Sequence, residues 1–268
     1  MADEKINVYR FIKDEDLRKT FAKVFDQNTI MACHKLSTKG LFDVVEYLIN
    51  VGKEAHVFRA RDSSGNFRAV KIYKTETSDF KHMDKYLVGD ERFRDVRRDK
   101  RDIVFAWTRK EHNNLDLMAK AGVRVPLPYG FHENLLVMEF IGREGVAAKT
   151  LFAGGCRDYE KAYETVVDWM ARLYFKANLI HADLSEYNVL VNVDARDREE
   201  LVLIDCGQSV LASHPMAQEF FERDVRNVAK YFQKQGVDTD YARAYAAVKA
   251  LKAKYAAAAP ARGGKGKK

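Results

Sequence analysis

Three polar residues in the second half of the chain have the types and spacing of a phosphoryl-transfer site. Asp183 lies five residues before Asn188, so a short loop can present a carboxylate and a carboxamide to one ligand. Asp205 follows seventeen residues after Asn188 and ends an apolar run that reads as a buried strand. Oxygen ligands of this kind bind Mg²⁺, and phosphoryl transfer depends mainly on positioning and charge neutralisation. We therefore expect Asp183 to orient or deprotonate the acceptor, and Asn188 and Asp205 to hold Mg²⁺.

The order of these residues is that of protein kinases. Residues 181–188 follow the pattern His-x-Asp-Leu-(x)3-Asn, and residues 205–207 follow Asp-x-Gly. Either fragment alone also occurs by chance, and Asp-Cys-Gly is compatible with an ordinary exit from a strand into a turn. Their conjunction at these gaps, with a strand-like apolar run at residues 189–193 between them, favours the catalytic interpretation.

The first half of the chain carries the candidate phosphate-binding residues. Two apolar segments flank Ser-Ser-Gly-Asn at residues 63–66, and this pattern predicts a β-hairpin. Lys71 in the second segment matches the third-strand lysine that pairs with nucleotide phosphates in kinases. The segment Gly-Lys-Glu-Ala at residues 52–55 has one glycine, so it is neither a Gly-x-Gly-x-x-Gly loop nor a Walker A motif. Taken alone, the segment at residues 52–55 is also compatible with a plain turn. Lys71 taken alone is also compatible with an ordinary lysine on an edge strand.

A lysine in this role needs a carboxylate partner on a helix. Residues 103–121 have apolar side chains at helical spacing and are followed by a glycine. Glu111 lies one turn from an apolar residue on either side, and an unpaired carboxylate on such a face is costly. We therefore predict an ion pair between Lys71 and Glu111. The alternatives are Glu91 as the partner, or a solvated Glu111 at the flank of the helix.

Two further strands are predicted at residues 129–131 and 134–142. At this point in the order of elements a kinase chain crosses between its two lobes. Backbone groups of Glu139 and Ile141 would then bond the adenine edge, with Met138 behind it. A core strand without a ligand is the alternative, since any Leu-Leu-Val-Met run packs well.

Together these motifs resemble the RIO family of atypical protein kinases. An alanine at residue 182 replaces the arginine of ordinary kinases, and Ser-Glu-Tyr at residues 185–187 is characteristic of the family. The resemblance covers roughly residues 41–235 and is strongest with the first RIO subfamily, because too little chain precedes Gly52 for the winged-helix domain of the second. The segments that carry it are residues 52–55, 180–188, 204–205, 208–210 and 214–232.

The resemblance implies an α+β, two-lobed protein-kinase-like fold. An antiparallel β-sheet and a long helix would form the N-lobe, and the C-lobe would be mainly helical. The predicted divisions are an N-terminal helical extension (1–40), a RIO-type kinase domain (41–259) with its N-lobe (about 41–138), hinge (about 139–142) and C-lobe (about 143–259), and a disordered basic tail (260–268).

The resemblance also implies an ATP- and Mg²⁺-dependent serine/threonine kinase and ATPase, with Mn²⁺ as an alternative metal. It implies a role in late maturation of the small ribosomal subunit, with precursor particles and their rRNA as partners and the nucleotide cycle controlling release. Asp183 and Asp205 are the predicted catalytic residues, and Asn188 and Asp205 the predicted metal ligands. The predicted nucleotide-binding residues are Gly52, Lys53, Glu54, Ala55, Val57, Lys71, Glu111, Met138, Glu139, Ile141 and Asn188.

Two departures from the family pattern lie close to these residues. Asn50 and Val51 stand where the subfamily has Ser-Thr, so hydroxyls that could touch phosphate or cap the loop are missing. Cys206 and Gly207 bring the segment after Asp205 closer to ordinary kinases. Neither departure changes a residue assigned to the chemistry.

The short segment after Asp205 bears on the phosphate acceptor. About ten residues separate Asp205 from Pro215, and no Ala-Pro-Glu motif follows. Protein kinases normally place an activation loop and that motif here. The platform that docks a substrate peptide is therefore missing from the sequence, which favours water or a group within a bound assembly as the acceptor.

Two other functions stay open. A small-molecule kinase of the aminoglycoside or choline class shares the Asp-Leu-(x)3-Asn loop, but the short C-terminal region weighs against its larger acceptor domain. A nucleotide-binding scaffold that holds rRNA without turnover is the other alternative. The intact Asp183, Asn188 and Asp205 weigh against it.

Composition narrows the class further. At 268 residues and 47% hydrophobic content, the chain is long enough for one two-lobed domain. Three cysteines without paired spacing favour a reducing compartment and argue against disulfide or zinc frameworks. No run reaches the roughly eighteen apolar residues of a membrane span, and the charged start is no signal peptide, so we expect a cytoplasmic protein without membrane contact.

A net charge of +7 and a pI near 9.1 allow an RNA partner. Residues 90–101 alternate acidic and basic side chains, so a salt-bridged surface suits them as well as phosphate contact. The tail at residues 260–268 has four Lys or Arg residues and no large apolar residue, which predicts disorder. We expect the tail to be the better RNA-binding segment.

Three helices are predicted in the C-terminal half. Residues 158–177 have a helical apolar stripe and begin with an aspartate suited to an N-cap. Residues 215–232 form a second stripe, with Pro215 in the first turn and Gly236 beyond the end. The alanine-rich residues 240–259 form the third, and the first fifty residues suggest one or two more.

Overall fold

The computed structural model of the protein describes Ile12 and residues 25–75, 80–96 and 99–256. The predicted basic tail and most of the predicted N-terminal extension lie outside these residues. Within the described part, no helix is long and apolar enough to cross a membrane.

Five antiparallel strands form the sheet of the N-terminal half: β1 (Val44–Val51), β2 (Ala55–Arg61), β3 (Phe67–Tyr73), β4 (Pro128–His132) and β5 (Leu135–Glu139). Their spatial order is β1-β2-β3-β5-β4. The predicted hairpin between β2 and β3 is confirmed, because the Asp62 carboxylate accepts hydrogen bonds from the amides of Ser64 and Asn66 and closes the turn.

Helices cover both faces of this sheet. Helix α1 (Gln27–Thr38) buries its apolar residues in one core cluster with Phe58 and Val70. Helix α2 (Phe80–Leu87) and a 3-10 turn (Glu91–Phe93) belong to the segment between β3 and the long helix that follows.

Helix α3 (Lys100–Ala121) confirms the helix predicted at residues 103–121 and begins three residues earlier. It starts there because the Asp99 side chain accepts from the amide of Asp102. It ends at Gly122, whose φ of 84° is the left-handed conformation that glycine adopts without strain. Its buried Trp107 and Leu115 belong to a core cluster that also contains Leu136 of β5.

The second half of the chain is mainly helical, with short strands around the predicted catalytic loop. The strand predicted at residues 189–193 is confirmed. In chain order, the elements of this second half are β6 (Gly142–Arg143), β7 (Val146–Ala147), β8 (Lys149–Thr150), α4 (Leu151–Gly154), α5 (Tyr159–Ala171), a π-helical turn (Arg172–Ala177), β9 (Leu179–Ile180), β10 (Val189–Val193), β11 (Glu199–Leu203), a 3-10 turn (Cys206–Gln208), β12 (Val210–Leu211), α6 (Ala217–Lys234), α7 (Tyr241–Ala250) and α8 (Lys252–Ala256).

The C-terminal helices differ from the sequence prediction in detail. Asp158 caps α5 as predicted, but the regular helix ends at Ala171 and a π-helical turn follows. Pro215 is not in the first turn of α6, because the helix begins two residues later, after Met216 as its N-cap residue. The helix predicted at residues 240–259 is broken at Leu251 into α7 and α8, and its last three residues lie outside the described part.

Candidate active site

Lys71 joins the two halves of the molecule. From β3, its Nζ donates hydrogen bonds of 2.8 Å to Glu111 Oε1 on α3 and of 2.8 Å to Asp205 Oδ1. Glu111 is 1% exposed, and the Tyr73 hydroxyl also donates to it. The predicted Lys71–Glu111 pair is therefore present, while the alternative partner Glu91 is exposed in a 3-10 turn.

Charge and burial have opposite effects on the pKa values of Lys71, Glu111 and Asp205. Burial opposes the charged form of Lys71, but the carboxylates of Asp205 and Glu111 raise the pKa of its ammonium. The Lys71 charge lowers the pKa of Asp205, whereas burial raises the pKa of Glu111. The cation stays charged beside an ionised Asp205, whose side chain is 44% exposed.

The predicted catalytic loop connects β9 to β10. The Asn188 amide Nδ2 donates to the Asp183 backbone carbonyl at 2.8 Å and to its carboxylate at 3.2 Å. These bonds fix the orientation of the carboxamide, so that its Oδ1 points away from Asp183. Asp183 and Asn188, five residues apart in sequence, are thus brought together as predicted.

A buried carboxylate that sequence reasoning missed anchors this loop. Asp224 of α6 accepts from the backbone amides of Ala182 at 2.8 Å and Leu184 at 2.9 Å, on either side of Asp183. The Arg223 guanidinium donates to the Ala182 carbonyl, and Ala182 has a φ of 66°. Burial raises the pKa of Asp224 to about 7. The sequence feature that could have revealed Asp224 is its place directly before Val225, within the apolar stripe of this helix.

His181 ties the same loop to the strand end before Asp205. Its Nε2 lies 3.2 Å from the Ile204 carbonyl, and the side chain is buried. Burial lowers the pKa of His181 to about 4, so the ring is neutral at physiological pH and Nε2 donates to the carbonyl.

A cleft of about 640 Å³ lies between the sheet and the helical half. Asp205 lines it, and Asp183 lies next to it through its contact with Asn188. Every predicted nucleotide-binding residue lines the cleft: Gly52, Lys53, Glu54, Ala55, Val57, Lys71, Glu111, Met138, Glu139, Ile141 and Asn188.

The turn between β1 and β2 covers one side of the cleft. The Gly52 amide donates to the Ala55 carbonyl at 2.8 Å, and a Cβ at Gly52 would lie 2.8 Å from the same oxygen. Only glycine therefore fits this turn without a shift. Lys74 Nζ donates to the Gly52 carbonyl at 3.0 Å and ties the turn to the end of β3.

The connection between the two halves follows β5. The Glu139 amide donates to the Leu127 carbonyl at 2.8 Å, and the Ile141 carbonyl accepts from the Ala148 amide at 3.0 Å. The Glu139 carboxylate pairs with Arg124 at 2.6 Å. The predicted hinge residues therefore use the Glu139 amide and the Ile141 carbonyl in hydrogen bonds within the protein.

The segment after Asp205 is as short as the sequence predicts. A 3-10 turn leads to β12, which pairs with β9, and α6 begins at Ala217. Asp205 itself has a φ of 60°, an uncommon conformation for a residue other than glycine.

A sheet-containing half, a helical half and a cleft between them, bridged by a buried lysine, define a protein-kinase-like fold, and comparisons with known proteins narrow the class. Residues 56–244 match the RIO domain family. The chain is 44% identical over 229 residues to the RIO-type serine/threonine-protein kinase Rio1 of Haloferax volcanii, with 85% of this chain and 77% of that protein covered. It is 40% identical to the Rio1 kinase of Methanocaldococcus jannaschii, with 86% and 77% covered.

The human serine/threonine-protein kinase RIO1 is 36% identical, over 87% of this chain and 41% of the human protein. The chain therefore belongs to the RIO family of atypical serine/threonine protein kinases, which are phosphotransferases. The relatives at 44% and 40% identity agree with the predicted resemblance to the first RIO subfamily.

A solved structure confirms the predicted fold. The Rio2 kinase of Chaetomium thermophilum, in an ADP/Mg²⁺-phosphoaspartate complex, superimposes with a TM-score of 0.63 at 24% identity. The match covers 83% of this chain and 66% of that chain.

Proposed function

We propose that this kinase uses ATP and Mg²⁺ in late maturation of the small ribosomal subunit in the cytoplasm, and that its nucleotide cycle controls its release from precursor particles. The observation that carries the nucleotide assignment is the bridge from Lys71 to both Glu111 and Asp205 inside the cleft. This bridge places a fixed cation beside a carboxylate in the same cleft that Met138, Glu139 and Ile141 line.

The nucleotide would lie between the two ends of the cleft. Lys71 would pair with its phosphates, and Glu111 would hold the lysine in place from the buried side. The Glu139 carbonyl and the Ile141 amide would bond the adenine edge beside Met138. The turn at residues 52–55 would cover the phosphates with backbone amides.

The residues at the phosphate end suit Mg²⁺. Asn188 offers an amide oxygen turned away from Asp183, and Asp205 offers a second carboxylate oxygen besides the one bonded to Lys71. Bound Mg²⁺ would neutralise charge on the phosphates. Among the described residues no group of three or more His, Cys, Asp or Glu side chains forms a metal site, so phosphate oxygens and water would complete the coordination. Mn²⁺ prefers similar oxygen ligands and is the alternative metal.

Asp183 would act on the acceptor. Its carboxylate is held by Asn188, and the loop that carries it is fixed by Asp224. An acceptor hydroxyl or water in the cleft mouth would donate to this carboxylate and give up its proton to it during transfer.

The short segment after Asp205 supports a release switch. With α6 beginning at Ala217, there is little chain to form a platform for a substrate peptide. ATP hydrolysis by a particle-bound enzyme then accounts for the site better than transfer to a free peptide.

A turnover assay with purified protein tests the proposal. Asp205→Ala should lower Mg²⁺-dependent ATP turnover by about 10³-fold or more, because the metal and its charge stabilisation are lost. Lys71→Ala should weaken ATP binding or misplace its phosphates. Asp197→Ala is the matched control, since this aspartate is exposed and pairs with Arg157 away from the cleft. Wild-type turnover by Asp205→Ala would contradict the assignment.

A further inference from the structure

A fully buried lysine lies next to Glu111 and has no role in the function described so far. Lys110 is 0% exposed, and its Nζ donates to the carbonyls of Gly207, at 2.8 Å, and Ser209. Burial and the charge of Arg92 lower the pKa of Lys110. Burying an amine is unfavourable unless its N–H groups are hydrogen bonded, and here they are bonded to the segment that follows Asp205.

Asn114, one turn further along α3, contacts the same segment. Its Nδ2 donates to the carbonyls of Cys206 at 2.8 Å and Ser209 at 3.0 Å. Its Oδ1 accepts from Arg92 at 2.8 Å, and Arg92 in turn pairs with the buried Asp90 at 2.7 Å. Lys110 and Asn114 together therefore donate four hydrogen bonds to three carbonyls of the 3-10 turn and the residue after it.

Packing reinforces these bonds. A Cβ at Gly207 would lie 2.7 Å from Trp107 Nε1, so the turn sits directly on the surface of α3. The same helix holds Lys71 through Glu111, and Lys71 holds Asp205. The helix, the lysine, the aspartate and the turn thus form a closed ring of contacts.

We propose that Lys110 and Asn114 are positioning residues that direct Asp205 toward the metal. The left-handed φ of 60° at Asp205 is one that a non-glycine residue keeps only when its surroundings enforce it. Side chains of α3 donate hydrogen bonds to the backbone carbonyls of Cys206, Gly207 and Ser209. These bonds prevent the backbone directly after Asp205 from rotating. This inference rests on the proposed function, because it gives the hydrogen bonds from Lys110 and Asn114 a role in Mg²⁺-dependent turnover.

Two variants and a matched control test it. Lys110→Met removes the donors and keeps an unbranched side chain that is one atom shorter. Asn114→Asp keeps the shape and the contact with Arg92, but sets a carboxylate against two carbonyls. Lys120→Met is the matched control for Lys110→Met. It makes the same substitution on the same helix, at an exposed lysine that pairs with Asp116 away from the cleft. The readouts are the Mg²⁺ dependence of ATP turnover, ATP affinity without metal and the melting temperature.

Lys110→Met and Asn114→Asp should each raise the half-saturating Mg²⁺ concentration and lower kcat by about tenfold or more, the effect of losing hydrogen bonds from charged or buried donors. ATP affinity without metal should change by less than about twofold, since Lys71 and the connection after β5 are untouched. Lys120→Met should match wild type. A purely structural role would lower the melting temperature and leave the Mg²⁺ dependence of the folded protein unchanged.

The outcomes separate this inference from the proposed function. The positioning role would be overturned if the folded variants at both positions had the wild-type kcat and the wild-type half-saturating Mg²⁺ concentration. The proposed function would stand in that case if Asp205→Ala still lost turnover. A wild-type protein without Mg²⁺-dependent turnover would overturn both. If Lys110→Met fails to fold, Asn114→Asp alone decides, because it retains the pairing with Arg92.

Discussion

Lys71 donates a 2.8 Å hydrogen bond to Glu111, and both side chains are buried. The same ammonium also reaches Asp205, in the helical half of the molecule, at 2.8 Å. The structure therefore couples the candidate active site to stability, because neither carboxylate can be separated from Lys71 without leaving charge unpaired.

Removing Lys71 alone should destabilise the fold. Lys71→Met should lower the free energy of unfolding by about 3 kcal/mol, because Glu111 is left buried without its cation. The double variant Lys71→Met/Glu111→Leu should recover part of that loss, leaving the Tyr73 hydroxyl without its acceptor. Urea denaturation without nucleotide measures both. Lys120→Met, an exposed change, should cost less than about 1 kcal/mol. Equal or greater loss in the double variant would show that the pair is not the cause.

Asp183→Ala should separate binding from release. It should still bind ATP and Mg²⁺ through Lys71, Asn188 and Asp205, and so stay on the particle. Its fraction co-sedimenting with precursor small subunits in ATP should exceed that of wild type. A variant that cannot bind ATP should not accumulate in this way. Equal co-sedimentation, together with strong wild-type phosphorylation of a defined protein, would instead indicate a conventional kinase.

Asp224 should make stability depend on pH. Its pKa is about 7 in the folded protein against an ordinary value of 3.8, so the folded state holds an extra proton between these values. Its contribution is therefore complete below about pH 4 and is lost as pH rises through about 7. The unfolding free energy of wild type relative to Asp224→Asn should fall by on the order of 4 kcal/mol over this range.

Chemical denaturation at several pH values measures this difference. Asp116→Asn, an exposed change on α3, serves as the control and should leave the pH profile of wild type unchanged. A pH-independent difference between wild type and Asp224→Asn would show that Asp224 does not titrate in this range.

The basic tail, which lies outside the described residues, should contribute to RNA binding. Deleting residues 262–268 removes four Lys or Arg side chains. If these side chains bind RNA phosphates, the log-log salt dependence of binding to small-subunit RNA should weaken by up to about one unit for each phosphate that is no longer neutralised. Filter binding or fluorescence anisotropy over a salt series measures the slope. An unchanged slope would remove the tail from the RNA interface.

Local signals in the sequence determined much of the candidate active site. The hairpin at residues 63–66 and the end of α3 at Gly122 depend on neighbouring residues and on backbone conformations that glycine favours. The order of motifs placed Asp183, Asn188 and Asp205 at one cleft. The Lys71–Glu111 pair could be predicted because a carboxylate on an apolar helix face needs a cation, and the order of elements offered one.

The tertiary structure alone decided how these residues are held. Asp224 reaches the amides beside Asp183 from about forty residues away in sequence, and Lys110 reaches Gly207 and Ser209 from nearly a hundred. Periodicity shows that such side chains face inward, but several backbone carbonyls or amides could satisfy each of them. Which partner each one takes depends on how α3 and α6 pack against the catalytic loop and the turn after Asp205, and that packing is a property of the whole core.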